Sequence, residues 1–482
     1  MPGPEGLAAP RAAPAPARHP LGRVVTGLSA LLLAIATLLV VPQLGEPPLS
    51  RLEEPERALA LIVERTMDVQ AALADAPAWE RRLYTLTHTD AGSEIDEAID
   101  WYDELASYSQ EPGVDLRRAV LLGEAGRRDR LERALRQWQV RGEPLASHAA
   151  VIAAAYLGVG DLDTARASET LGLLGPGWFA DAFTARVAAR LDNPVVAETA
   201  RAAIAARAGP LLWRLRALAA LDLGLLGLGL LALRRWQRDR RVGSGAVATA
   251  SLPPPWSLGA GLATLVRGGA LAALVLVGLQ AGGRWLVEQP VLTEALDQPL
   301  MYLPLLLLVR RGLLRPAGLG FVTAFGLRLR PGGGRPCAQA VLALVAAGLV
   351  IDLGLGLLGG ALGLTSHWAE WFDADLAWGG PAVVGVTLLG SIVFAPVFEE
   401  LIFRGLLYGT LRTRLAWQLA AAGSGLVFAL AHGYGVIGFL SVFLSGVLWA
   451  WVYERTGSLL PSILAHVANN AAVAVTLAIL LR

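Results

Sequence analysis

The sequence predicts an all-α protein: a polytopic membrane helical bundle of about nine spans, with an extracytoplasmic helical domain inserted after the first. Three observations predict it. The 482 residues are 54% hydrophobic and only 17% charged, with 54 glycines, a composition that suits a membrane chain and not one large soluble core. Apolar stretches of about 20 residues, the length that crosses a bilayer, recur along the chain. Residues 49–210 break that pattern: they are rich in Ala, Leu, Glu and Arg and poor in β-branched runs, and so read as helical and water-facing.

Residues 1–23 carry Arg11, Arg18 and Arg23 in a Pro- and Ala-rich tail that reads as disordered and cytoplasmic. The run 24–43 is longer than the roughly 7–15 apolar residues of a cleaved signal peptide. It ends in Val-Val-Pro-Gln and not at a small-residue site, so it reads as a signal-anchor span. The block 49–210 holds 26 acids against 18 arginines, a net charge near −8. Gly92, Gly126 and Gly160 recur every 34 residues, and around the last two an apolar helix ends, the chain turns and a second helix begins. A 34-residue helix–turn–helix period resembles tetratricopeptide (TPR) repeats, with a plain helical bundle as the alternative. Its histidines, His88 and His148, read as surface or packing residues. No catalytic pattern lies in this block, which is the segment available to a protein partner.

The remaining spans read at 211–233, 268–287, 291–309, 337–362, 381–404, 415–433, 435–453 and 459–481, the third of these interrupted by Glu294 and Asp297. Arginines fall in the loops 1–23, 234–267, 310–336, 404–414 and 454–457, whereas Glu288, Glu370, Asp373 and Asp375 fall in the alternate ones. The positive-inside rule then places the N-terminus in the cytoplasm and 49–210 outside the cell (inner) membrane. All 41 basic residues are arginine, which reads as GC-rich coding bias and leans bacterial. No basic stripe is interleaved with aromatics, so nothing suggests nucleic acid. Cys337 is the only cysteine, which excludes an internal disulfide and a thiolate metal cluster.

Three motifs lie in order on three apolar stretches: EELIFR with Glu399, Glu400 and Arg404; FALAH with Phe428 and His432; HVANN with His466 and Asn470. A charge at the bilayer centre costs roughly 2.5–3.5 kcal/mol on insertion scales, so several in adjacent spans point to use. Glu400 and Arg404 stand in the favourable acid-first i,i+4 order. Glu399 lies about 100° round the same helix and is left free for chemistry, near the inner end of its span where water reaches. His432 and His466 come from other spans and meet Glu399 only through folding. Asn470, one turn after His466, is placed to donate to a developing oxyanion, and Asn469 points elsewhere. Phe428, one turn before His432, orients that ring or packs.

EExxxR, then FxxxH, then HxxxN resembles the intramembrane CAAX-protease and bacteriocin-processing family, called CPBP or Abi. ERTGSLLPSILAHVANN around Gly457 is similar to that family's last motif-bearing span. The resemblance covers about 335–482, read as a protease core, and extends less specifically to 268–309; residues 211–334 supply additional spans and cytoplasmic loops, and 49–210 is an addition. It implies an intramembrane endopeptidase with Glu399 activating water, His432, His466 and Asn470 completing the site, and Glu400, Arg404 and Phe428 in support. The substrate it implies is a membrane or membrane-bound peptide. The cofactor is either none or Zn: two histidines and a glutamate suit a three-ligand zinc site, with His432 and His466 as ligands, yet the same residues serve a metal-free scheme. The alternatives are a non-catalytic scaffold or immunity protein on the same fold, which the intact trio disfavours, and a proton-coupled transporter, for which inverted repeats are expected.

Overall fold

The computed structural model describes residues 20–40, 47–87, 94–241, 247–281, 290–364 and 367–482. His88, Gly92, most of the tail 1–23 and the end of the expected span 268–287 lie outside these. Among the described residues there are helices and turns and no strand. Among the described residues seven helices are long and apolar enough to cross a membrane, and the chain is a multi-pass membrane protein.

The first span is α1 (Pro20–Val40). Eight helices follow on the polar side: α2 (Pro55–Ala74), α3 (Ala78–Thr87), α4 (Glu94–Ala106), α5 (Pro112–Glu124), α6 (Arg128–Arg141), α7 (Leu145–Ile152), α8 (Thr164–Leu174) and α9 (Trp178–Arg190). Gly126 and Gly160, two of the glycines spaced at 34 residues, take φ of +66° and +80°, the left-handed conformation that glycine adopts at no steric cost. Each sits in a turn between helices. Leu59, Val63, Ile99, Tyr102, Leu116, Val120 and Phe179 form the buried centre of this layer.

The last helix of the layer does not stop at the membrane. α10 runs unbroken from Pro194 to Arg241, 48 residues with Pro210 inside it, so the α2–α9 layer and the second apolar span share one rod. Then come α11 (Leu258–Ala281) and α12 (Pro290–Val309). The start of α11 lies well before the expected residue 268. Arg267, which should have delimited that span, donates to the Thr26 hydroxyl at 3.0 Å and the Gly22 carbonyl at 2.5 Å of α1, so its charge is tolerated inside the helix.

α13 (Gly334–Leu362) lies along α10. A Cβ on Gly229 would fall 2.4 Å from the Leu342 carbonyl oxygen, so only glycine lets these backbones meet, as small residues do between membrane helices. α14 spans Pro381–Arg412. α15 (Trp417–Leu430) has only 14 residues, about 21 Å at 1.5 Å per residue, short of a hydrocarbon core of roughly 30 Å. α16 (Val436–Thr456) and α17 (Leu460–Leu481) complete the bundle.

The segment 367–378 joins the two layers. Trp368 and Leu376 from it, and Leu477 and Leu481 from the end of α17, are buried in the same core as the outer helices. Full burial of such side chains stabilises by roughly 1.5–3 kcal/mol each. Arg57 of α2 lies over the Trp378 ring at 4.1 Å, and Trp101 of α4 meets Trp368 edge-on at 6.3 Å.

Candidate active site

α14 is wound unevenly, and the uneven turns are where the site is built. Gly390–Phe394 and Glu400–Tyr408 are π-helical, the i→i+5 winding that recurs at functional sites. In the first of them the Ala395 N–H bonds back to the Gly390 carbonyl, so the next carbonyl, that of Ser391, would await an N–H from residue 396. Residue 396 is proline and has none. The Asn470 side-chain amide takes that orphan carbonyl at 2.8 Å. Asn470 is thereby fixed to α14, with one amide hydrogen engaged and one left over. This geometry was not legible in the HxxxN spacing.

In the second π-helical turn, Arg404 Nη1 donates to Glu400 Oε1 at 2.8 Å, and both side chains are wholly buried. The pair expected from the i,i+4 spacing therefore forms. Arg404 Nε and Nη2 and Glu400 Oε2 make no hydrogen bond within the described residues. Aromatic faces take the place of donors and acceptors: the guanidinium carbon lies 4.1 Å from the Phe428 ring centre and 4.9 Å from that of Trp449. Gly446 gives the guanidinium its room, because a Cβ there would sit 2.7 Å from Nη2.

His466 bridges the two carboxylates. Its Nδ1 lies 3.2 Å from Glu400 Oε1 and its Nε2 3.7 Å from Glu399 Oε2. The first is a hydrogen bond, and since a carboxylate only accepts, Nδ1 carries the proton. Nε2 then turns a lone pair toward Glu399 at a distance too long for a hydrogen bond. Trp449 stacks on the imidazole, ring centres 4.2 Å apart and 28° from parallel. The Ser462 hydroxyl holds the Trp449 carbonyl at 2.9 Å, pinning α17 to α16 one turn before His466.

His432 lies just past the end of α15, and its Nδ1 meets the Phe428 carbonyl at 2.8 Å. A carbonyl accepts, so this ring too is protonated at Nδ1 and offers Nε2 as an acceptor. Phe428 is fully buried and central: its ring meets His432 at 4.6 Å and His466 at 5.9 Å, both edge-on. It orients both imidazoles as well as packing.

The structure thus brings Glu399, Glu400, Arg404, Phe428 and His466 into direct contact, and joins His432 to them through Phe428 and Asn470 through α14. The sequence reading missed Trp449, Gly446 and Tyr302. The Tyr302 ring, on α12, stacks on Phe398, the residue before Glu399, with centres 5.4 Å apart. An aromatic or glycine inside an apolar helix carries no pattern that separates it from packing.

Two histidines and two glutamates invite a metal ion, but the donor set does not fit one as arranged. Glu400 Oε1 is already shared by Arg404 and His466 Nδ1. Among the described residues no three His, Cys, Asp or Glu side chains are grouped as ligands of one ion.

Comparison with known proteins adds the family. Residues 381–472, which contain all three motifs, match the family described as type II CAAX prenyl endopeptidase Rce1-like. A curated Escherichia coli protein, described as an uncharacterized 24.3 kDa protein, is 31% identical over 210 residues, covering 41% of this chain and 89% of its own length. No solved structure matches.

Proposed function

The chain belongs to the Rce1-like family of type II CAAX prenyl endopeptidases, within the CAAX-protease and bacteriocin-processing proteins, and we propose that it hydrolyses a peptide bond of a membrane or membrane-associated substrate with Glu399 as the base. A protease of this family embedded in a bilayer acts on a peptide that reaches it there. The observation that carries the reading is Glu399: a carboxylate beside His466 Nε2, in an apolar bundle, on a helix whose neighbouring charge is already paired.

In this scheme a water lies between Glu399 and His432 Nε2, both acceptors. Its oxygen attacks the scissile carbonyl carbon as Glu399 takes its proton. The carbonyl oxygen gains the negative charge, and the free amide hydrogen of Asn470 turns toward it. The C–N bond then breaks, and the proton held by Glu399 passes to the departing nitrogen. Glu400 and Arg404 keep His466 in one tautomer and hold α14 against α16 and α17.

The scheme uses no metal. Exhaustive chelation should leave the activity of the purified protein intact. Activity lost to chelator and restored by zinc alone would overturn that part and make His432 and His466 ligands, with Glu399 or Glu400 the third. The substrate is found by comparing membrane peptides of cells carrying wild type and Glu399→Gln: an uncut peptide should accumulate with the variant, and identical peptide sets would count against the reading.

We place the protein in the inner membrane with its N-terminus in the cytoplasm and the α2–α9 layer outside, following the arginine distribution. Cys337 is buried, so an introduced cysteine is labelled against little background. An impermeant thiol reagent should label Gln110→Cys but not Arg414→Cys in intact cells, and the reverse would invert the orientation.

A further inference from the structure

We infer that Asp352, on the outer surface of α13, is a docking point for the membrane-spanning segment of the substrate, and that it selects a segment with a basic side chain at its own depth. The inference rests on reading the protein as an endopeptidase of membrane substrates. Asp352 lies outside the three motifs and outside the residues that match the family. It is exposed on the bundle, with Val350 and Leu353 half-exposed beside it. The Ser441 hydroxyl of α16 donates to Asp352 Oδ1 at 2.6 Å, and among the described residues that is its one polar contact.

Its depth makes this costly. α13 has 29 residues, about 43 Å at 1.5 Å per residue, so it overreaches a hydrocarbon core of roughly 30 Å by about 6 Å at each end. Asp352 stands ten residues before Leu362, about 15 Å along the axis, and so about 8 Å inside the core. An aspartate is too short to snorkel to the headgroups as lysine and arginine do. Lipid tails offer it no donor, and one neutral hydroxyl does not balance a carboxylate. The complementary group is a cation, and at that depth it arrives on another membrane helix.

The surface beside Asp352 has room for one. A cavity of about 420 Å³ lies between α10, α13 and α16, lined by apolar residues that include Leu233, Ala343, Ala347, Val350, Leu444 and Leu448. The alanines of α13 let a neighbouring helix come close. α16 separates this groove from the active site: Leu444 and Leu448 line the groove, whereas a Cβ on Gly446 would meet Arg404 and Trp449 stacks on His466. A segment lying along α16 toward Val436 reaches the turn that carries His432.

The probe is a synthetic leucine–alanine helix that spans a bilayer and carries one lysine about 8 Å inside the core, with its all-apolar counterpart as control. Each is titrated, by energy transfer, against the full chain in phosphatidylcholine vesicles. The lysine peptide should associate roughly tenfold more tightly, the worth of one interhelical polar contact in lipid. The preference should vanish in Asp352→Leu and in Asp352→Asn, which keeps the shape and an acceptor for Ser441. Both variants should melt no lower than wild type, since each removes a charge from lipid. The lysine peptide should also slow cleavage of the peptide that accumulates in Glu399→Gln membranes.

Equal affinity for the two peptides would mean that lipid alone covers this face, and would overturn the inference. So would variants that melt lower yet keep the preference, which would make Asp352 and Ser441 a brace between α13 and α16. Asp352-dependent self-association without capture of the lysine peptide would make a second copy the occupant, and binding without slowed cleavage would make it a partner other than the substrate; either overturns the assignment. If Glu399→Gln cleaves at the wild-type rate while the lysine preference stands, the base assignment fails and not this inference. If Glu399→Gln is inactive while Asp352→Leu binds the lysine peptide as wild type does, only this inference fails.

Discussion

The Glu370 carboxylate accepts a hydrogen bond from the backbone N–H of Gly435 at 3.1 Å. This one bond connects the segment beneath the outer helices to the turn that carries His432. α15 is too short to reach the far surface, and the 367–378 segment comes to meet its end. The outer layer grips the same segment through Trp101, Arg57 and the Trp368 core. The α2–α9 layer and the turn carrying His432 thus contact the same segment.

Cutting the link should loosen the site without unfolding the bundle. Glu370→Ala removes the acceptor, whereas Glu370→Gln keeps a carbonyl in its place. Cleavage should drop about three- to tenfold with alanine, since the bond is exposed and its worth is discounted accordingly, and much less with glutamine. Rates measured side by side decide it, and equal losses in the two variants would mean that hydrogen bonding to Gly435 is not what matters.

The same segment carries an acid-sensitive element. His367 Nδ1 accepts the Ala369 N–H at 3.2 Å, capping the turn Trp368–Glu370, so the cap needs a neutral ring. Burial pushes its pKa down to about 4. Glu104 Oε2, 3.7 Å from Nε2, would favour the charged ring, but at that distance it is outweighed by burial beside Trp101 and Trp368. Between about 4 and the ordinary value of about 6.5, the folded chain binds fewer protons here than the unfolded one. Stability from this group is therefore complete above that window and lost as pH falls through it. Thermal unfolding followed from pH 7.5 to 4.5 should show the loss, and His367→Asn, which keeps an acceptor that does not titrate, should flatten it. An equal slope in both proteins would acquit His367.

Glu399 and Glu400 should part company when neutralised. Glu400→Gln strands Arg404, wholly buried, and breaking one side of a buried pair costs roughly 3–5 kcal/mol. Gly446→Ala should act on the same guanidinium by contact, with its methyl 2.7 Å from Nη2. Both should lower the folded yield and melting temperature after extraction, while Glu399→Gln should not. Normal melting of Glu400→Gln would deny the ion pair its structural role.

Much of this was legible in the chain. The helical class follows from apolar length and composition, and the three motifs stand on separate helices that converge. The Glu400–Arg404 pair follows from one helical turn of spacing. What was not legible depends on contact between helices. Among the described residues seven helices meet the length and hydropathy of a span; α12, a 20-residue helix, and α15, which stops at Leu430, are the further apolar helices that the sequence reads as spans. Arg267 reads as a boundary in the sequence because its partners on α1 are remote along the chain. Trp449 and Glu370 reach the site through space, and no short spacing announces them. Asn470 reads in the sequence as a donor to an oxyanion; that the Ser391 carbonyl takes one of its amide hydrogens depends on Pro396, far from it in the chain.

The base is tested most directly by the cleavage rate of purified, bilayer-reconstituted Glu399→Gln against wild type on the accumulated peptide. Glutamine keeps the size of the side chain but cannot take a proton from water. The rate should fall by roughly 10²–10⁴ while the protein melts as wild type does. Cleavage by Glu399→Gln at the wild-type rate would remove Glu399 from the chemistry.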